Sequence, residues 1–124
     1  MCCHTERKIY VSTMSCHLSA KYMMKASYTV DGTKGLMKDG GSARRAAVQK
    51  MIEGLGGTLE CFYYTFGEPD AFAIVDVPDA VTIAAASLAI NATGGAHVST
   101  TVLLTPEEID QAAKKSVSYR APGK

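Results

Sequence analysis

What most constrains this chain is a hydrophobic period that keeps switching between Lys21 and Leu104. Apolar side chains recur first at every second residue, then at helical spacing, then twice more at every second residue. A second helical stretch follows, and then a last alternating one. A period of two puts side chains on the two faces of a strand, and a period of 3.6 puts them on one stripe of a helix. The order is therefore strand, helix, strand, strand, helix, strand.

The first strand spans 21–30, where Tyr22, Met24, Ala26 and Tyr28 alternate with the more polar Met23, Lys25, Ser27 and Thr29. A loop with four glycines is expected from Asp31 to Gly41. Asp39 or Ser42 can cap the helix that follows, by accepting free backbone N–H groups. Ala43, Ala47, Met51 and Leu55, widened by Val48 and Ile52, form its core stripe, and Arg44, Arg45, Lys50 and Glu53 take the wet side. Gly56-Gly57 stops it.

Strand two runs over 58–66 and strand three over 71–77, joined by the turn signal Gly67-Glu68-Pro69-Asp70. A connection this short makes an antiparallel hairpin. Asp76, near the end of strand three, is expected to reach solvent. Pro78-Asp79 opens the second helix, with Val81, Ala84, Ala85 and Leu88 as its buried stripe. Strand four, 96–104, carries Val98, Thr100, Val102 and Leu104 on one face and His97, Ser99, Thr101 and Leu103 on the other. Thr105-Pro106-Glu107-Glu108 is a capping box that starts a last helix to about Lys115.

Right-handed crossovers put both central helices on one face of a four-stranded antiparallel sheet. The fold class is α+β, a ferredoxin-like βαββαβ unit with an extra C-terminal helix. The other sheet face is then bare and half apolar, and a second copy packing face to face is the simplest cover. A homodimer or higher homo-oligomer is expected.

A chain of 124 residues holds one domain. Residues 1–19 mix Cys, His, Ser, Thr and charge without a period and read as a disordered extension. The domain then covers 20–115, with 116–124 as a flexible tail. The net charge of +1 gives no argument for nucleic acid or an anionic membrane. Val81 to Ile90, the most apolar stretch, is far shorter than the ~20 residues a bilayer needs. No apolar segment of signal-peptide type follows the charged N-terminus, and none of the four cysteines has a C-x-x-C spacing. Free thiols in the cytoplasm are the expectation.

Several segments resemble the GYD-domain family from about Tyr22 to Glu108: Tyr28-Thr29 with Asp31-Gly32, Leu55-Gly56-Gly57, Phe62 through Asp70, Val77-Pro78-Asp79, and Gly95 through Thr105. The resemblance implies a ferredoxin-like fold of the dimeric α+β-barrel group, in which two sheets pack into a barrel-like dimer, often with a cavity per subunit. It implies little about activity. The name-giving Gly-x-Tyr-Asp motif appears here with Gly67 and Asp70 in place and Pro69 where the tyrosine stands, so no role for that ring carries over.

The candidate catalytic residues are His97, which can act as acid or base near neutral pH, and Asp70, which could orient it or a ligand. The plainer reading, which the pattern favours, is a surface histidine for His97 and a turn residue bonding its own backbone for Asp70. Tyr28, Tyr63, Tyr64, Thr101 and Arg44 are the candidate ligand contacts; tyrosines are also ordinary core and interface filling. The stretch Gly35–Ser42 has the context of a phosphate loop, but Gly41 stands where its lysine belongs. Cys2, Cys3, His4, Cys16 and His17 lack the paired spacing of a zinc site. No metal and no cofactor is expected. The leading reading is a small homodimeric ligand-binding or accessory protein. The alternative is a cofactor-independent enzyme of oxygenase or isomerase type, with a cavity over the sheet and His97 as its acid–base; oxygenases, isomerases and decarboxylases occur on this fold group, and the link is analogy alone.

Overall fold

In a computed structural model, residues 20–124 are described. The strands are β1 (Ala20–Tyr28), β2 (Thr58–Tyr64), β3 (Ala71–Val77) and β4 (Ala96–Leu103). The helices are α1 (Val30–Asp39), α2 (Gly41–Gly54), α3 (Ala80–Ala92) and α4 (Pro106–Lys114). The strands form one antiparallel sheet in the order β2-β3-β1-β4, the ferredoxin-like arrangement. The metal reading of Cys2, Cys3, His4, Cys16 and His17 falls outside the described residues, as does the extension.

Register decides which residues share a face. Met24 lies opposite both Ala73 and Thr100, and Ala26 opposite both Ala71 and Val98. On β3 the odd positions Ala71, Ala73, Val75 and Val77 are buried, while Phe72, Ile74 and Asp76 between them are half-buried. The buried set faces the helices and joins Met24, Val98, Ile52, Ile83 and Ala86 in the core. β3 lies inside the sheet, so half-burial of its even positions marks the opposite face as one that the described residues leave uncovered. That face carries Met23, Tyr63, Phe72, Ile74 and Leu103, with the Tyr63 and Phe72 rings 5.9 Å apart.

Four expectations need correction. The stretch expected as a loop after β1 is helical. Thr29 caps α1 by accepting from the Gly32 amide at 3.1 Å, with Asp31 in the first turn and Lys38 in the last, and these end effects outweigh the helix cost of Gly32 and Gly35. A helix there also removes any phosphate loop. The cap of α2 is neither Asp39 nor Ser42 but Gly40, at φ 91°, a backbone state that glycine adopts without a Cβ penalty. In α3 the buried stripe is Ile83 and Ala86, with Ile90 packed against them, whereas Val81 and Leu88 are 79% and 71% exposed. This helix is apolar all round, so its pattern sets no phase. The Asp79 cap, which accepts from Thr82 N at 2.9 Å, fixes where the helix starts, and packing fixes the face. β2 ends at Tyr64 and holds a register shift between Leu59 and Cys61, so the hairpin loop is longer than expected. Asp76 does reach solvent, with 26% of its side chain exposed, and its carboxylate lies 3.4 Å from Lys21 Nζ, which also pairs with Glu60.

Candidate functional site

Between α2 and the helix-side face of the sheet lies a cleft of about 130 Å³. Its floor is Met24, Ala26, Ala71 and Ala73, small or flexible residues that keep the sheet surface low. Val48 and Met51 of α2 and Ile90 of α3 form the walls. Polar groups gather at one end, where β1 finishes and α2 begins: Tyr28 and Arg44 line the cleft there.

Local structure fixes that end. The Tyr64 hydroxyl donates to the Gly41 carbonyl at 3.1 Å, tying the last residue of β2 to the first turn of α2. The approach is close, since a Cβ on Gly41 would sit 3.1 Å from the Tyr64 ring. Tyr64 also packs edge-on to Phe62 at 5.2 Å and stacks on Phe66 at 5.7 Å. Burial of the Tyr28 phenol raises its pKa; the neighbouring Tyr64 phenol adds to this, and Arg44 opposes it. Tyr28 therefore stays a neutral hydrogen-bonding group well past physiological pH. No carboxylate among the described residues is in ion-pair contact with Arg44. Arg44 is half-buried at the cleft, not on the fully wet side where its spacing put it.

The hairpin turn between β2 and β3 is held almost wholly by main-chain groups. Thr65 N and Phe66 N donate to the Asp70 carbonyl at 2.7 and 3.1 Å, and Gly67 N donates to the Pro69 carbonyl at 3.0 Å. Phe66 sits at φ 51°, and the Glu68–Pro69 peptide is cis. Asp70 then reaches across to β1: its amide donates to the Ala26 carbonyl at 2.9 Å, and its carboxylate accepts from the Tyr28 amide at 2.9 Å. The turn thus anchors the residue whose side chain closes the cleft.

The family model for the GYD domain matches residues 22–113, which takes in all of the sheet but the first two residues of β1, the first three helices and most of α4. The chain belongs to the GYD-domain family. No curated protein and no solved structure matches it. The anchored turn described above is this GYD protein's copy of the motif from which the family takes its name. Pro69 contributes a backbone carbonyl there, which any residue possesses.

Of the candidate residues, Tyr28, Tyr64 and Arg44 come together at the cleft. Tyr63 and Thr101 do not: they lie on the uncovered face, on the two outer strands, with β3 and β1 between them. His97 is exposed on that same face, opposite Ser27, and lines neither the cleft nor the polar hollow at the outer edge of β2. Asp70 is committed to the Tyr28 amide. Among the described residues, no histidine–carboxylate pair lies in the cleft. Met51, Val48 and Ile90 were read as core or not singled out; helical periodicity identifies an apolar face but not a gap beneath it. Among the described residues no group of three His, Cys, Asp or Glu side chains is placed to hold a metal, and no helix is long and apolar enough to cross a membrane.

Proposed function

We propose that this GYD-domain protein is a small homodimeric ligand-binding protein whose cleft between α2 and the sheet takes a compact, largely apolar molecule. The supporting observation is the cleft itself, with an apolar floor and walls and a few polar groups converging at one end, the usual character of a small-molecule site. Its 130 Å³ is close to the roughly 150 Å³ of engineered apolar cavities that accept benzene. The dimer rests on the uncovered sheet face, where Met23, Tyr63, Phe72, Ile74 and Leu103 share a surface with the Lys21–Glu60–Asp76 charge cluster. A second copy would bury these side chains and leave the cleft, on the other side of the sheet, open.

Native mass spectrometry of gently purified protein tests both parts. The expected result is a dimer carrying a reproducible small-molecule adduct that disappears in Ala47→Trp, where an indole on the exposed rim of α2 fills the cleft. A monomer at micromolar concentration overturns the assembly. An adduct that survives Ala47→Trp overturns the placement of the ligand. If the protein arrives bare, binding of benzene or toluene followed by amide chemical shifts decides the cleft. Shifts absent from Met51, Val48 and Ala73 at saturating ligand overturn it.

A further inference from the structure

We propose that the ligand of this cleft is a monocarboxylate with a compact aryl or branched aliphatic body, its carboxylate held by Arg44 and its body laid over Met24, Ala26 and Ala73. This rests on the cleft being the ligand site, and it adds the charge and shape of the molecule.

Three observations carry it. Arg44 lines the cleft at its polar end and has no acidic partner among the described residues. A guanidinium beside an apolar cavity, with its fork unclaimed, matches the planar, two-oxygen geometry of a carboxylate. Tyr28 lines the same end. The Tyr64 hydroxyl donates to the Gly41 carbonyl, so its oxygen is left to accept from the neighbouring Tyr28 phenol. The rest of the lining is apolar: Ala71, Ala96 and Val98 from the sheet and Val48, Met51 and Ile90 from the helices offer the ligand no side-chain donor or acceptor. A molecule with polar groups at both ends would leave one of them unpaired in that lining.

Charge count narrows the class. Among the described residues, Arg44 is the one cationic side chain lining the cleft, which balances a monoanion. A phosphate ester, with nearly two negative charges at pH 7, would be left undercompensated. Volume narrows it further. About 130 Å³ admits a six-membered ring or a short branched chain and excludes long acyl chains and fused polycyclic bodies.

The test is a titration of isotopically labelled protein at pH 7 with benzoate, benzamide and toluene, following backbone amide shifts of the cleft residues. Benzoate and benzamide differ in charge but hardly in shape. Benzoate is expected to bind about tenfold more tightly than benzamide, the difference one half-exposed charge-assisted pair gives. Arg44→Gln should erase that preference, and Arg44→Lys should restore part of it. Toluene or benzamide binding as tightly as benzoate in the wild-type protein overturns the carboxylate assignment and leaves the cleft reading intact. A benzoate preference that survives in Arg44→Gln overturns the role of Arg44. Failure of all three compounds to shift any cleft amide overturns the cleft reading and this one with it.

Discussion

Replacing Gly32 by alanine puts the new methyl carbon 1.8 Å from the Gly95 carbonyl oxygen and 2.8 Å from its carbon. Both are backbone atoms, so no rotamer change relieves the overlap; α1 and the turn before β4 must separate by roughly 1.5 Å to reach ordinary contact. That separation breaks the bonds joining them: Thr29 N to the Gly95 carbonyl at 3.1 Å, and Thr29 Oγ1 to the Gly94 and Gly95 carbonyls at 2.9 and 3.2 Å. At about 1 kcal/mol net for each, the loss is about 2–3 kcal/mol. Alanine recovers about 1 kcal/mol over glycine inside a helix, which leaves about 1.5 kcal/mol of destabilisation. For a domain of this size the melting temperature should drop by roughly 6–12 °C. Gly35 lies one turn further along the same helix, and a Cβ there meets nothing within 4 Å. Gly35→Ala should therefore raise the melting temperature by a few degrees, from about 0.5–1 kcal/mol of reduced backbone freedom in the unfolded chain. Thermal melts of both variants by circular dichroism give the comparison. A Gly32→Ala protein as stable as wild type would show that the α1 start and the Gly94-Gly95 turn are not in contact.

Three further outcomes follow from the same geometry. Asp70→Ala leaves the half-buried Tyr28 amide without its acceptor and should cost about 1–2 kcal/mol in urea unfolding, with Asp70→Asn recovering much of it; an unchanged midpoint in Asp70→Ala refutes the anchoring role. Burial pulls the Lys21 pKa down, but hydrogen bonding and charge attraction from Glu60 and then Asp76 outweigh it, so the folded value lies above the ordinary 10.5. Its contribution is fully present below about pH 10.5 and is lost as pH rises through the folded value, so wild type should lose more stability than Lys21→Met in melts between pH 9 and 12. Hydrogen bonds from Thr82 lower the Asp79 pKa from its ordinary 3.8, so the cap of α3 stabilises above that pH and fades as pH falls through the lowered value; Asp79→Ala should remove this acid step, and Asp79→Ser should keep the helix while removing its pH dependence.

Sheet topology was legible in the sequence because the period of two is local and survives any packing, and the family was legible through the resemblance carried by short motifs such as Leu55-Gly56-Gly57 and Val77-Pro78-Asp79. The Thr105–Glu108 capping box was legible for the same reason, and both of its reciprocal bonds form, at 2.8 and 3.0 Å. α1 was hidden because its two glycines argue for a loop, while the contact that excuses Gly32 comes from Gly95, more than sixty residues away. The orientation of α3 was hidden because Val81, Ile83, Ala84, Ala85, Ala86 and Leu88 are all apolar, and a helix without a polar side has no preferred face until the sheet selects one. At the site, Tyr28, Tyr64 and Arg44 were picked out by residue type as candidate ligand contacts; in the structure Tyr28 and Arg44 line the cleft between α2 and the sheet, and Tyr64 braces the start of α2 beside it. The parity of Tyr28 with Met24 and Ala26 was already in the sequence, and following it would have placed Tyr28 on the helix side. The grouping with Arg44 could not be read, since it depends on how far α2 stands off the sheet.

That standoff ties the family's turn to the cleft. The turn sits between Tyr64 and Ala71, and each of these residues touches the cleft or its supports. On one side Tyr64 holds the Gly41 carbonyl and so sets the height at which α2 begins. On the other, Asp70 holds the Ala26 carbonyl and the Tyr28 amide and so fixes where β1 ends. Shifting either would move Arg44 relative to Tyr28, because one belongs to the first turn of α2 and the other closes β1. The groups that carry this geometry are the Asp70 carboxylate, main-chain atoms of 65–70, and the Tyr64 hydroxyl. None is the side chain at position 69. A proline there is compatible with the same cleft, so the departure from the Gly-x-Tyr-Asp pattern removes an aromatic ring without removing the part of the turn that positions the site.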